Sequence, residues 1–133
     1  MTWFFNGESY NPSSDAFGFV YIITEKPTGK MYIGKKRLFK KIKRKGKNVL
    51  VDSDWRDYYG SSRKLLENLE KIGKENYHRE VIKECTNAAS LAYIELKEQI
   101  ERKVLFDDNF YNEYIGGRLN AKGLQHLREE ELK

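Results

Sequence analysis

Residues Gly18–Lys36 read GFVYIITEKPTGKMYIGKK, and this stretch constrains the chain more than any other. Phe19, Tyr21 and Ile23 alternate with Val20, Ile22 and Thr24, a β-branched and aromatic run with a period of two residues. Pro27, Thr28 and Gly29 interrupt it with turn chemistry, because proline presets φ and glycine accepts positive φ without a steric cost. Lys30-Met31-Tyr32-Ile33-Gly34 then resumes the strand pattern. The spacing predicts a hairpin with Tyr21 and Tyr32 near one face. Gly34 closes its second strand and allows close backbone approach.

The charge is concentrated directly after this hairpin. From Lys35 to Lys47 the chain reads KKRLFKKIKRKGK, nine basic residues and no acid, in a protein of net charge +5. Such a run is an electrostatic footprint for a polyanion, the phosphate backbone of a nucleic acid first. Lys35, Lys36, Lys40, Lys41, Lys43, Arg44, Lys45 and Lys47 are the candidate contacts. Leu38, Phe39 and Ile42 fall at helical spacing, so the expectation is a short docked helix with a basic outer face.

A chain of 133 residues suits a single domain, 1–133. It has no apolar run of spanning length and no apolar segment behind N-terminal basic residues, so no membrane span or signal peptide is expected. One cysteine, Cys85, allows no internal disulfide and suits a reducing, cytoplasmic setting. His78 and His126 have no zinc spacing.

Along the chain, Trp3-Phe4-Phe5 is an edge strand or core cover, followed by the turn dipeptide Asn6-Gly7. Asp52 and Asp54 are placed to cap a helix near Trp55. Residues 63–72 form an apolar-striped helix, with Ser61 or Ser62 as N-cap and Gly73 beyond its end. Residues 77–85 form a third strand, and Ser90 to about Phe106 the longest helix. That helix has one stripe of Tyr93, Leu96, Ile100 and Val104 and a second of Leu91, Ile94 and Leu105, so it should lie across the core. Ile115-Gly116-Gly117-Arg118 is a tight turn, and the tail from Leu124 a short amphipathic helix. The expected fold is α+β: a small three-stranded antiparallel sheet flanked by helices.

Glu98 lies on the stripe of Leu91, Ile94 and Leu105, where a carboxylate is costly to bury without a partner or a metal. An ion pair with Lys97, Arg102 or a basic residue elsewhere is the alternative to a metal. Glu95 falls between the stripes and is expected to be solvated.

Phe19-Val20-Tyr21 followed by Tyr32-Ile33-Gly34, with the second tyrosine eleven residues after the first, resembles the paired signature of the GIY-YIG nucleases. Phe19 stands where the family has its first glycine, and Gly18 lies one place earlier. The order of the remaining features is similar too, over roughly residues 18–117, and looks most like small stand-alone phage-type members. The resemblance implies a metal-dependent DNA endonuclease. Tyr21 would be the tyrosine that activates water, Tyr32 the second tyrosine, Glu98 the ligand of a Mg²⁺ or Mn²⁺ ion, and Asn112 a late amide that orders the site. The family arginine, counted from Gly34, falls on Ile42, leaving Arg37, Lys43 and Arg44 as candidates. Tyr58-Tyr59 occupies the region where relatives often carry a histidine, and Tyr59 is taken into the site. DNA is the implied partner, with a homodimer for double-strand cleavage. Two rival readings need no catalysis: a nucleic-acid-binding module built on Lys35–Lys47, or an interaction protein that binds an acidic partner.

Overall fold

The strand Gly18–Glu25 (β3) is buried on both faces, and the fold is assembled around it. The computed structural model describes residues 2–117 and 119–133. β3 pairs antiparallel with Met31–Arg37 (β4) on one side and Tyr77–Cys85 (β7) on the other. These are the three strands expected from the sequence. Phe4–Phe5 (β1) and Glu8–Ser9 (β2) add two more, giving a five-stranded sheet in the order β2-β1-β7-β3-β4. β1 runs parallel to β7, and the Asn6-Gly7 turn takes positive φ at both residues. Of the expected edge strand or core cover at Trp3-Phe4-Phe5, Phe4–Phe5 is a strand and Trp3 is buried in the core, while β2, two residues long, carries no period to read.

The two faces hold two cores. Phe19, Tyr21 and Ile23 pack with Trp3, Tyr10, Trp55, Tyr59 and Leu65. Val20 and Ile33 pack with Leu91, Val104, Leu105 and Phe110. The helix Arg63–Ile72 (α1) belongs to the first face, with Ser62 accepting from the Leu65 N–H as its N-cap and Gly73 at its end with φ +93°. The helix Ala88–Glu101 (α2) covers the second face.

The basic run is not a helix. Phe39–Arg44 (β5) and Lys47–Asp52 (β6) form an antiparallel ribbon. Leu38 and Ile42, four residues apart, satisfy a period of two as well as a helical one, and the β-branched Val49 and Val51 opposite favour the strand. Lys45 (φ +51°) and Gly46 (φ +77°) close it in the geometry that tight hairpins require.

α2 ends five residues earlier than expected. Lys103 turns left-handed (φ +56°), so Val104, Leu105 and Phe106 fold back into the core outside the helix. The stripe through Tyr93 and Ile100 is therefore broken, and both side chains are exposed. Asp52 and Asp54 do not cap the 3₁₀ turn Trp55–Asp57; Ser53 Oγ accepts from the Trp55 N–H at 3.2 Å, and Asp54 is engaged by Lys36. After α2 the chain returns beside β4, where Met31 N–H donates to Asn109 O and Tyr111 N–H to Met31 O. Tyr114–Ile115 (β8) and Leu119–Asn120 (β9) pair next, and Arg118, the last residue of the expected turn, lies outside the described residues. A short helix, Arg128–Glu131 (α3), falls in the expected tail. Among the described residues no helix is long and apolar enough to cross a membrane.

One carboxylate ties these layers together. Glu25, 2% exposed, accepts from Thr28 Oγ1 (2.5 Å), Tyr77 Oη (2.8 Å), Tyr111 Oη (3.1 Å) and Asn68 Nδ2. Burial pushes its carboxyl up, but the four hydrogen bonds outweigh that and hold it below its ordinary value of 4.5. A carboxyl with a depressed folded pKa stabilises the fold above its unfolded pKa, and the contribution is lost as pH falls through the folded value. Glu25→Gln should therefore lower stability at pH 7 by roughly 1.5–3 kcal/mol and blunt the acid limb below about pH 4.5. Urea unfolding at pH 7 and pH 3 checks both, and equal loss at the two pH values would contradict the assignment.

Candidate active site

The hairpin register places Tyr21 opposite Gly34 and Ile23 opposite Tyr32. Residues paired or two apart share a face, so both tyrosines project to the α1 side. Their ring centroids are 6.3 Å apart. The side chain missing from Gly34 is what admits them: a Cβ there would lie 2.4 Å from Tyr21 Oη and 3.1 Å from Tyr32 Cε2. Gly60 (φ +89°) is the opposite wall, its Cβ position 3.3 Å from the Tyr32 ring and 3.4 Å from Tyr21 Oη.

Tyr21 is 1% exposed, and burial first, then Tyr58, Tyr32 and Glu95, hold its phenol well above the ordinary range. Tyr32 is half-buried and its hydroxyl hydrogen-bonds with Ser61 Oγ at 2.9 Å. Burial raises its phenol, and the Ser61 bond partly opposes the shift. Beside Tyr32 opens a cleft of about 200 Å³ lined by Ser61, Arg63, Tyr111, Glu113 and Tyr114.

Of the adjacent Tyr58-Tyr59 pair, the structure brings Tyr58 to Tyr21. Their rings meet edge-on at 6.0 Å, and Tyr58 helps to raise the Tyr21 phenol. Tyr59 points the other way, buried in the first core with the Arg79 guanidinium 4.2 Å over its ring. In extended backbone neighbours alternate, so the expected site residue Tyr59 and its neighbour Tyr58 take opposite sides of that segment.

The cations divide in the same way. Lys36 lies on the tyrosine face, 4.2 Å from the Tyr58 ring centroid and 2.6 Å from Asp54. Lys35 lies on the α2 face and pairs with Glu95 at 3.8 Å. Arg37 stacks on Phe17 at 5.0 Å, while Lys43 and Arg44 sit at the far end of the β5–β6 ribbon. Arg63, which sequence reasoning passed over as an ordinary first helical residue, lines the cleft beside Tyr32.

Glu95 is not solvated as expected. Its side chain is 21% exposed, burial raises its carboxyl with Lys35 partly offsetting that, and its charge acts on both Tyr21 and Tyr32. Glu98 instead pairs with Arg102 at 3.4 Å, one turn on. The difference follows from the helical wheel: Leu91, Glu95 and Gln99 share one face at i, i+4 and i+8, and that face packs on β4. Among the described residues no group of three or more His, Cys, Asp or Glu could hold a metal. A single half-buried carboxylate fits a hard divalent cation that keeps most of its waters, and Glu95, paired here with Lys35 at 3.8 Å, is the carboxylate placed to suit such an ion.

Asn112 is buried in the β4 edge. Its Oδ1 accepts from Ile33 N–H at 3.1 Å and its Nδ2 donates to Ile33 O at 2.8 Å, replacing a neighbouring strand. Gln99 Nε2 donates to the same carbonyl at 3.1 Å. These amides satisfy the edge beside Gly34 and leave the glycine itself uncovered by a further strand.

Residues 3–115 match a family model described as "Putative endonuclease segE, GIY-YIG domain". The chain belongs to the GIY-YIG nuclease family, and the match begins upstream of the stretch where the motifs alone suggested it. Membership makes it an endonuclease, a hydrolase, and GIY-YIG nucleases generally depend on a divalent metal ion and act on DNA. Comparison with curated proteins and with solved structures gave no match.

Gly34→Ala tests the geometry. A methyl placed on Tyr21 Oη must displace the phenol, so cleavage of plasmid DNA should fall by about 100-fold, the loss that a misplacement of about 1 Å causes. Circular dichroism should show an intact sheet. Wild-type cleavage by Gly34→Ala would show that the phenol's position does not matter.

Proposed function

We propose that the chain hydrolyses phosphodiester bonds of DNA at the open edge of β4, with Mg²⁺ or Mn²⁺ as its divalent ion. The observation that carries this reading is the convergence of Tyr21, Tyr32 and the field of Glu95 on one glycine-lined edge. Glu95 is the proposed metal carboxylate, in place of Glu98. When bound, the ion supplies Lewis acidity at the phosphate and offsets the charge that develops there.

The chain's own residues do the rest. Lys36 and Arg63 approach from the tyrosine face and hold the phosphate. Tyr32, with Ser61 fixing its hydroxyl, orients the phosphate or the attacking water. Tyr21, its ring edge-on to Tyr58, takes the proton of that water in its phenolate form. Since burial keeps Tyr21 protonated at rest, its base form is scarce near neutral pH and strongly basic once formed. Asn112 acts as a positioning residue by fixing the backbone of Ile33 next to Gly34. One chain holds one such site, so a double-strand cut takes two chains or two successive nicks.

Supercoiled plasmid is the direct assay. Wild-type protein should nick it only with Mg²⁺ or Mn²⁺ present. Glu95→Gln should lower the rate by about a thousandfold or more, the several kcal/mol that a Lewis acid contributes. Glu98→Gln should stay within about threefold of wild type, because half-buried Glu98 is engaged by the exposed Arg102 and a single i,i+4 pair contributes little. The reverse order would return the metal carboxylate to Glu98.

A further inference from the structure

The β5–β6 ribbon stands apart from the tyrosine site, and its composition is one-sided. Between Phe39 and Asp52 it carries Lys40, Lys41, Lys43, Arg44, Lys45 and Lys47 against one acid, Asp52. Among the described residues none of these six cations forms an ion pair.

The register sorts the ribbon into two faces. Lys40 pairs with Val51, Ile42 with Val49 and Arg44 with Lys47. This face is half-buried at Ile42, Val49 and Val51, and the charge of Lys40 reaches Asp54 in the body of the protein. The other face carries Lys41 opposite Leu50 and Lys43 opposite Asn48, all four exposed. Leu50 is 64% exposed and Phe39, on the same face at the ribbon's base, 44%. Large apolar side chains among lysines on a projecting hairpin do not serve solubility. They are what a surface needs when it meets something that is both anionic and partly apolar.

The edge of a DNA base pair has that character. Six-residue strands make a ribbon about 20 Å long, and two strands with their side chains fit a groove about 12 Å wide but not one about 6 Å wide. We infer that the β5–β6 ribbon enters the major groove of the DNA with Lys41, Lys43, Asn48 and Leu50 toward the bases. This rests on DNA being the substrate in the reading above. It makes the ribbon a sequence-reading element, whereas a run of lysines on a helix face would clamp phosphates alone. Lysine can donate to the guanine N7 and O6, asparagine can bridge adenine N6 and N7, and leucine can cover a thymine methyl. The five residues from Gly34 to Phe39 span at most about 17 Å of extended chain, so the bases read lie within about one helical turn of the bond cleaved.

Binding without cleavage tests this. The full chain is titrated, in EDTA, with a guanine-rich duplex, with the same duplex carrying 7-deazaguanine, and with one carrying inosine. The first change removes a major-groove acceptor, and the second a minor-groove donor. Wild-type protein should bind the 7-deazaguanine duplex about 5–10-fold more weakly and the inosine duplex within about twofold. Lys41→Ala/Lys43→Ala should lose that discrimination, while Lys40→Ala/Arg44→Ala should bind all three duplexes more weakly and keep the ratio. Equal affinity for guanine and 7-deazaguanine, a larger effect of inosine, a Lys41→Ala/Lys43→Ala protein that still discriminates, or no duplex binding would overturn the inference. Discrimination by a protein that fails to nick plasmid would uphold the ribbon and remove the proposed catalysis.

Discussion

The pairing of Tyr21 with Gly34 across the β3–β4 hairpin is the constraint on which the rest of the site depends. A strand buried on both faces must be largely apolar. β3 ends in Thr24 and the hydrogen-bonded carboxylate of Glu25, and from Gly18 to Ile23 it is apolar except where Tyr21 brings a hydroxyl into the core. That hydroxyl has room only because the residue opposite lacks a side chain. The turn at Pro27–Gly29 sets the register that makes the two residues partners, and Glu25 fixes that turn to α1, β7 and Tyr111 through four hydrogen bonds. A slip of one residue would exchange every side chain between the two cores.

β4 is an edge strand, which ordinarily invites pairing with another chain. Here Asn112 and Gln99 supply the missing partners at Ile33 and stop there. One residue further, Gly34 is buried under the Tyr21 and Tyr32 rings, and the exposed Lys35 follows it along the edge between the tyrosine face and the α2 face. The edge therefore offers a substrate access to groups from both layers: Lys36, Tyr58 and Tyr32 from one, Lys35 and Glu95 from the other. Substrate access and edge protection are resolved within two residues.

The hairpin, α1 with its Ser62 and Gly73 ends, and β7 were legible in the sequence because each combines a clear period with recognisable boundaries. The ribbon was not. Leu38 and Ile42 fit helix and strand alike, and the deciding feature, positive φ at Lys45 as well as Gly46, falls on a lysine that gives no such signal. Two of the expected site residues lie apart from the tyrosine pair, for related reasons. Tyr58 and Tyr59 share a short extended segment with no periodicity to fix which side each takes. Leu105 aligns with Glu98 only on a helix that continues past Glu101, whereas α2 stops there and Leu105 reaches the core from a turn. The faces of a helix can be read from its sequence only as far as its true end.

The central claim is that the buried Tyr21 phenol gives up its proton to make the reaction run. Single-turnover cleavage at saturating protein, followed from pH 6 to pH 9 for wild type and Tyr21→Phe, tests it most directly. A phenol whose pKa lies above the whole range predicts a wild-type rate that climbs about tenfold per pH unit. Tyr21→Phe should be slower by about 10²–10⁴-fold and lose that slope, while binding DNA and unfolding like wild type. A Tyr21→Phe protein with the wild-type rate and slope would leave Tyr21 a packing residue and contradict the account.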